Sequence, residues 1–404
     1  MALTLPAALQ GAPPSAFAQH DGISRIKTRR APALTKQTAN CDDARMRSKI
    51  QTVLAAAIAV SFSAASAAPV RVVSEIAPAA VQPQIAVAPG GAIHVVFGRG
   101  SAIYHTQSRD GRAFSPAVKV GALEKLALGM RRGPRISATE KTIAITAISH
   151  ADGMLHAWTS GDNGATWKSG GPVNSVANSA REGMHAMAGD GRGLVVVTWL
   201  DLRTKGAEVW NRVSRDGGLT WRPEIRVYAS PDGHVCECCQ PTVAIGPRGE
   251  IGAMWRNWLG GSRDPWLALS TDGGATFSGA KKLGAETWKL NACPMDGGAL
   301  AFSPKGDPLA AWRREKSVEA GGIGSSEFPL AQNAAQPVVA FEKSGPVFVW
   351  QQDGGLMIQR GPAPATRLTD DGAFPAIGLS ADGKAIIVWE SRTAPGTIWL
   401  DAPM

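Results

Sequence analysis

The chain has 404 residues, of which 44% are hydrophobic, and a formal net charge of +9. Eight Lys/Arg and three Asp/Glu fall within residues 1–67, so five of the nine positive charges lie outside the remaining 337 residues. Those 337 residues are long enough to bury a large core. They are only mildly basic and carry no basic stripe interleaved with aromatic residues, which argues against nucleic acid as a partner.

Residues 46–67 have the pattern of a secretory signal peptide. Arg47 and Lys49 give a positively charged start, residues 52–62 form a short apolar run, and Ala65-Ser66-Ala67 supplies the small residues of a cleavage site. The apolar run is too short to span a bilayer, and no later segment is apolar enough to cross one. We therefore expect no membrane span, and a protein that is periplasmic or secreted.

Residues 1–45 precede that signal and are rich in Pro, Ala and Arg without a periodic pattern. We expect translation to start at Met46, which would make residues 1–45 non-native. The alternative is a disordered leader. In both cases the single folded domain is expected over residues 68–404.

One phrase recurs along that domain: a turn with glycine, an alternating apolar run, and then an aromatic residue. It ends at Phe97, Trp199, Trp255, Trp312, Trp350 and Trp389, at intervals of 102, 56, 57, 38 and 39 residues. The longest interval holds two units, because EKTIAITAI at 140–148 fills it without the aromatic residue. Short strands in units of this length predict the blades of an all-β propeller.

These units number seven, with six blades as the alternative. The last unit ends before an outer strand, whereas VRVVSEI at 70–76 is a strand without a unit of its own. Pairing this N-terminal strand with the last blade would close the ring and remove a sheet edge.

A second phrase follows several of these units, as SGDNGATW, SRDGGLTW and STDGGATF from Ser160, Ser214 and Ser270, with a shorter copy at Ser108. This pattern resembles the Asp-box, or BNR repeat, of the sialidase superfamily. The resemblance implies a propeller with each box between the third and fourth strands of a blade. Aspartate and Ser/Thr side chains satisfy turn donors there, and glycines take positive φ. We therefore interpret Asp162, Asp216 and Asp272 as structural residues.

The cysteines concentrate in HVCECCQP, which holds Cys236, Cys238 and Cys239 and leads into the fourth blade. An offset of one repeat places Cys236 at Cys293, and Cys238 at Met295, in the loop leading into the fifth blade. The corresponding loop of the third blade contains His185. We expect these sulfur and imidazole groups to gather on one face of the ring.

Two interpretations of these cysteines stay open. Four cysteines in an exported chain predict disulfides, either Cys236 with Cys293 or one of Cys238 and Cys239 with Cys293. Alternatively, thiolate, thioether and imidazole ligands predict a soft-metal site for copper, with zinc as a second candidate.

The same face carries arginines just after three successive repeat tryptophans: Arg203, Arg256 and Arg313, accompanied by Asp201 and Glu315. Arginines that converge on a propeller axis would bind a small anionic ligand or a carbohydrate acid bidentately. Sialidases use such a triad for the carboxylate of their substrate, so the resemblance implies a similar role here.

Sialidase catalysis is expected to be absent. The family's nucleophile is a tyrosine late in the chain, but the tyrosines of this sequence are Tyr104 and Tyr228, in strands away from the axis. We expect a propeller that binds a ligand or a protein partner through its Cys/Met/Arg face. The alternatives are a periplasmic copper-binding protein and a glycoside hydrolase whose catalytic carboxylates come from Asp201, Asp264, Asp296 or Glu315.

Overall fold

The computed structural model describes residues 68–73 and 78–402. The expected leader and signal peptide, at 1–45 and 46–67, lie outside the described residues. Within the described part every regular element is a β-strand, so it contains no helix that could span a membrane.

The strands form seven antiparallel sheets of four strands each, the blades of a propeller. The first three blades are β2 (Ala80–Val87), β3 (Ile93–Arg99), β4 (Ala102–Ser108), β5 (Val118–Ala122); β6 (Arg135–Ala138), β7 (Ile143–Ile148), β8 (Leu155–Ser160), β9 (Lys168–Pro172); and β10 (His185–Gly189), β11 (Val195–Thr204), β12 (Gly206–Ser214), β13 (Ile225–Tyr228). Blades four and five are β14 (Thr242–Ile245), β15 (Ile251–Arg256), β16 (Pro265–Ser270), β17 (Lys281–Lys282); and β18 (Ala299–Phe302), β19 (Pro308–Arg314), β20 (Ser317–Gly321), β21 (Phe328–Gln332). Blade six is β22 (Ala334–Glu342), β23 (Gly345–Gln352), β24 (Gly355–Arg360), β25 (Thr366–Thr369), and blade seven is β26 (Ala373–Leu379), β27 (Ala385–Glu390), β28 (Ile398–Asp401) with β1 (Val70–Val73).

The seventh blade confirms the predicted closure. Strand β1 pairs antiparallel with β28, with Val70 opposite Leu400 and Arg71 opposite Trp399. This pairing supplies the outer strand that the last repeat lacks. The structure therefore has seven blades, and the six-blade alternative is wrong.

The first strand of each blade packs against the first strands of both neighbouring blades, so β2, β6, β10, β14, β18, β22 and β26 form a ring around the axis. The repeat aromatics lie in the second strands of their blades. Phe97 and the tryptophans at 199, 255, 312, 350 and 389 are at most 1% exposed. They lie in apolar clusters shared by neighbouring blades, such as the cluster of Phe97 with Val388 and Leu400. The core thus lies between blades, and burial of these large side chains holds the ring together.

Each full Asp-box occupies the turn between the third and fourth strands of its blade. In the first of them, the Asp162 carboxylate accepts hydrogen bonds from Ser160 Oγ at 2.7 Å and from the backbone N–H of Thr166 at 2.9 Å. The Ser160 hydroxyl also accepts the N–H of Gly164, which has φ +83°. The boxes at Asp216 and Asp272 repeat these bonds. All three carboxylates therefore accept hydrogen bonds from, and so stabilise, the turns in which they lie.

Candidate metal centre

The cysteine-rich loop connects β13 to β14 and is fixed to its surroundings by backbone hydrogen bonds. Val235 N–H donates to Ala207 O and Cys236 N–H donates to Arg256 O, both at 2.9 Å. Cys239 N–H then reaches back to Cys236 O at 3.4 Å, which closes a tight turn. This turn places the side chains of Cys236 and Cys239 on the same side of the loop.

The three cysteines of this loop form what we call the sulfur cluster: Cys236, Cys238 and Cys239. Their Sγ atoms all lie within 4.8 Å of one another. Cys236 Sγ is 3.6 Å from Cys238 Sγ and 3.4 Å from Cys239 Sγ. A disulfide would need about 2.05 Å. Three sulfurs around one ion at about 2.3 Å would lie roughly 4 Å apart, so the cluster is close to the geometry of a shared metal ion.

Burial of the cluster is asymmetric. Cys236 and Cys239 are each 1% exposed, whereas Cys238 is half-buried. Burial and then the contact with Cys236 raise the pKa of Cys239 to about 12. The pKa of Cys236 is raised to about 11. The hydrogen bond with Cys238 raises this pKa most, and the hydrogen bond with Cys239 acts in the opposite direction. The cluster is therefore protonated near neutral pH, and a bound metal would displace those protons.

Positive charge surrounds the cluster. Arg263 Nη1 donates to Cys236 Sγ at 2.9 Å, and the Arg263 guanidinium also lies 4.5 Å from the ring centroid of Trp258. Arg256 favours the ionised form of Cys239, and Arg132 interacts electrostatically with Cys238. Each thiol thus has a guanidinium neighbour that would stabilise negative charge on a metal–thiolate group.

The other predicted sulfur and imidazole ligands are placed differently. Cys293 is exposed, and its thiol interacts with Cys238 at the open side of the cluster. Met295 has φ 56°, and its carbonyl accepts from Gln336 Nε2 at 3.0 Å. His185 is buried beside β7, where its Nε2 lies 3.1 Å from Thr146 Oγ1. The structure therefore brings Cys293 to the cluster and leaves the His185 ring in an inter-blade contact.

All four cysteines of the described residues are free thiols. The disulfides considered from the sequence, Cys236 with Cys293 or either neighbour with Cys293, are not formed in this structure. The local reason is that Cys236 has its sulfur turned toward Cys238 and Cys239 within its own loop.

The three arginines that follow repeat tryptophans are each held by groups of this chain. Arg203 pairs with Asp201 Oδ1 at 2.8 Å and with Glu224 Oε2 at 2.7 Å, and it stacks 3.7 Å from the Trp210 ring centroid. Glu224 precedes the outer strand β13, so this guanidinium is held in the outer part of its blade. The charge of Arg203 is therefore balanced locally by two carboxylates.

Arg256 and Arg313 are bound mostly to backbone. Arg256, 1% exposed, donates to Asp296 O at 3.1 Å, Arg263 O at 2.7 Å and Arg313 O at 2.9 Å. Arg313 Nε donates to Glu315 O at 2.7 Å. Both side chains therefore organise loops around the sulfur cluster.

The carboxylates considered for glycoside hydrolysis are likewise held by their own chain. The Trp199 indole donates to Asp201, the backbone N–H of Trp288 donates to Asp264, and that of Gln336 donates to Asp296. All three aspartates are buried, and Glu315 lies in a turn with φ 53°.

The tyrosines lie in third and fourth strands, as predicted. Tyr104 is in β4 and Tyr228 in β13, where the Tyr228 ring centroid is 4.8 Å from that of Trp255. The Tyr228 hydroxyl accepts from Asn257 Nδ2 at 2.9 Å. Neither side chain belongs to an inner strand of the ring.

Arg263 and Arg132 were not recognised as site residues from the sequence. Arg263 lies in the loop between β15 and β16, far along the chain from its sulfur partner. Arg132 lies in the loop that leads into β6. The repeat offset, which relates this loop to the cysteine-rich loop that leads into β14, is the one sequence signal for their contact.

No family model and no curated protein matches the chain. Solved structures do match. A streptogramin B lyase is 12% identical, with a TM-score of 0.50 over 81% of this chain and 95% of the other. A Penicillium chrysogenum alpha-L-arabinanase complexed with arabinobiose is 15% identical, with a TM-score of 0.49 over 84% and 98%. The Hadza microbial sialidase is 15% identical, with a TM-score of 0.46 over 81% and 66%.

Likeness at these identities concerns the fold, and different activities occur on one fold. Function has to be argued from the residues of this chain. The seven blades, the strand-closed ring and the Asp-box turns together make this chain a seven-bladed β-propeller with Asp-box turns.

Proposed function

We propose that this propeller is an exported binding protein that holds a soft metal ion, Cu(I), in the sulfur cluster of Cys236, Cys238 and Cys239. The observation that carries the proposal is the approach of three thiol sulfurs to within 4.8 Å on a loop fixed by backbone hydrogen bonds. Soft thiolate ligands select Cu(I) over hard cations. The metal is the cargo of the site, and no catalysis is invoked.

The number and exposure of the sulfurs favour Cu(I) over zinc. Structural zinc sites are closed and four-coordinate. Here three sulfurs converge, while the fourth, Cys293, is exposed at the margin next to Cys238. Three thiolates and Cu(I) would carry a net charge of about −2. The surrounding guanidiniums of Arg263, Arg256 and Arg132 would offset this charge.

Export and the lack of sialidase activity are part of the proposal. The signal-peptide pattern at 46–67 supports export to the periplasm or beyond, where soft metal ions would meet the site directly. The outer positions of Tyr104 and Tyr228 support a protein without a tyrosine nucleophile at its axis. A carbohydrate or protein ligand on the same face was the other expectation, and no specific observation favours it over the metal.

The experiment is an anaerobic Cu(I) titration of the reduced protein in competition with a chromogenic Cu(I) chelator. One ion should bind with submicromolar affinity or tighter. Substituting serine for any one of Cys236, Cys238 and Cys239 should weaken binding at least 100-fold, whereas Met357→Leu in β24, a sulfur-containing control outside the cluster, should leave it unchanged. Equal affinity of the wild type and all three serine variants would refute the proposal.

A further inference from the structure

A second feature of the fold lies on the axis itself, where the inner strands line a partly open cavity of about 180 Å³. Its walls include Met187, Thr242, Leu300, Val339 and Ile377, from five of the seven inner strands. Its lining also includes Arg131 and Arg135. Both belong to the segment leading into or beginning β6, the same segment whose Arg132 interacts with Cys238, so the cavity neighbours the sulfur cluster but is lined by neither its thiols nor Arg132.

The charge on these two arginines has no carboxylate partner within ion-pair distance among the described residues. Arg135 is 3% exposed and donates through Nη1 to the carbonyls of Gly133 and Pro134 at 3.1 and 3.0 Å. Arg131 donates through Nη2 to the carbonyl of Gln336 at 2.8 Å. The Nε atoms of both arginines are buried without an acceptor. Carbonyl dipoles hold the two guanidiniums in place but supply no negative charge.

Burying charge without a counter-ion costs free energy. Burial first, and then repulsion from Arg131, lowers the pKa of Arg135 to about 9. Asp296 attracts Arg131 electrostatically; its Oδ2 accepts the backbone N–H of Gln336 at 2.7 Å, and its Oδ1 is buried without a hydrogen-bond partner. One carboxylate acting on Arg131 leaves the pair of guanidiniums beside the axial cavity with a net positive charge.

The end of the cavity near the arginines is built from strained backbone. Gln82, Arg131, Gln336 and Phe374 are non-glycine residues with φ of 57°, 62°, 54° and 47°. Three of them, Gln82, Gln336 and Phe374, lie in strand bulges. The backbone N–H of each of these three donates to a side chain of the preceding blade. The acceptors are Glu390 at 2.8 Å, Asp296 at 2.7 Å and Gln351 at 2.8 Å, respectively. Strain held by buried partners in this way is characteristic of binding sites.

From this combination we infer that the axial cavity is a binding site for a small inorganic oxyanion, phosphate or sulfate, held by Arg131 and Arg135. The planar guanidinium matches pairs of oxyanion oxygens. The lining is mixed, and its apolar residues Leu300, Val339 and Ile377 exclude part of the water around the guanidiniums, which strengthens the attraction. Inner strands surround the cavity on its sides, which favours a free ion over an acidic group on a large molecule.

The test uses the whole reduced protein without added metal, at constant ionic strength adjusted with chloride. Isothermal titration with inorganic phosphate and with sulfate should give saturable binding of one ion, with a matching rise in the thermal midpoint. Arg131→Gln should weaken this binding at least tenfold. Arg192→Gln, at a surface arginine on another blade, and Cys236→Ser in the sulfur cluster should leave it unchanged, which separates the axial site from the metal site.

Arg135→Gln removes contacts that hold the loop and is expected to reduce stability, so Arg131→Lys serves as the second variant. It keeps the charge but loses the planar fork, and its affinity should fall between those of wild type and Arg131→Gln. Absence of saturable phosphate or sulfate binding to folded wild-type protein, or equal binding by Arg131→Gln, would overturn the inference. Acetate binding tighter than either ion would also overturn it, because it would assign the site to carboxylates.

Discussion

Nη1 of Arg263 lies 2.9 Å from the Sγ of Cys236, so a guanidinium donates directly to one of the three thiols of the sulfur cluster. The arginine is held for this contact by a hydrogen bond from its Nε to Leu290 O at 3.1 Å and by stacking on Trp258. A cation fixed against a sulfur favours the thiolate form. The contact links a loop of the fourth blade to the proposed metal ligands.

Replacing Arg263 should weaken metal binding without removing a ligand. We expect Arg263→Gln to lower Cu(I) affinity by about 10-fold or more, the usual scale for a group that supports a metal ligand. Arg263→Lys should restore part of the loss, because the charge is kept. Competition titration against a Cu(I) chelator measures both. Arg248→Gln, on the opposite side of the same blade, is the control, and unchanged affinity in Arg263→Gln would show that the contact has no influence on the site.

The Asp-box carboxylates should matter for stability alone. Asp272 accepts from Ser270 Oγ at 2.8 Å and from the backbone N–H groups of Ala275 and Thr276, both at 3.0 Å. Asp272→Ala should therefore lower the thermal midpoint while Cu(I) affinity stays at the wild-type value. Asp370→Ala, at an exposed aspartate outside the boxes, should leave both quantities unchanged. Loss of metal affinity in folded Asp272→Ala would contradict this division of roles.

Glu390 should make stability fall as pH rises. Burial raises its pKa to about 7, although the N–H of Gln82 acts in the opposite direction. A carboxyl group with a raised folded-state pKa binds more protons when folded, so its stabilising effect is complete below about pH 4.5 and is lost on the way to pH 7.

The change is about 1.4 kcal/mol per pH unit. Glu390→Gln stays neutral and can still accept from Gln82. Urea denaturation at intervals from pH 4.5 to 8 should show the wild type losing stability relative to Glu390→Gln up to about pH 7 and no further. Parallel pH profiles for the two proteins would mean that Glu390 is ionised throughout.

The closing strand should be required for a stable ring. A chain that begins at Pro78 lacks β1 and exposes the edge of β28, and we expect it to lose roughly 2–4 kcal/mol of unfolding free energy. An exposed edge also promotes self-association. Chemical denaturation and light scattering, with a chain beginning at Ala68 as reference, would test this. Equal stability and a monomeric state for both chains would show that the pairing of Val70 with Leu400 is dispensable.

The ring could be predicted from the sequence because its signals are local. The repeat tryptophans, such as Trp255 and Trp312, each follow a turn and an alternating run, and each is buried between blades. The missing outer strand of the last unit and the unassigned strand at Val70 then predicted the closure. The third-strand position of Tyr104 and the fourth-strand position of Tyr228 followed from the same count.

The polar site was less predictable, because a side chain's partners come from distant parts of the chain. Arg203 and Arg256 each follow a repeat tryptophan, yet Arg203 pairs with Asp201 and Glu224, whereas Arg256 donates to three backbone carbonyls. The repeat offset predicted that Cys293 lies in the loop one blade over, but it gave no indication that Arg263 would contact Cys236. Arg135 was not predicted to bind a ligand, because the burial of its side chain beside the axial cavity becomes visible only once the blades are assembled.

The metal and thiol content of the protein as isolated tests the central claim most directly. Protein purified anaerobically without added metal would be assayed for copper and zinc and, on the same sample after denaturation with a Cu(I) chelator, for free thiols. The account predicts near-stoichiometric copper and at least three titratable thiols in the wild type. In Cys236→Ser, the copper content should fall to background. No metal together with no free thiols would contradict it, because the cysteines would then be joined in disulfides and the sulfur cluster would have no ligand to offer.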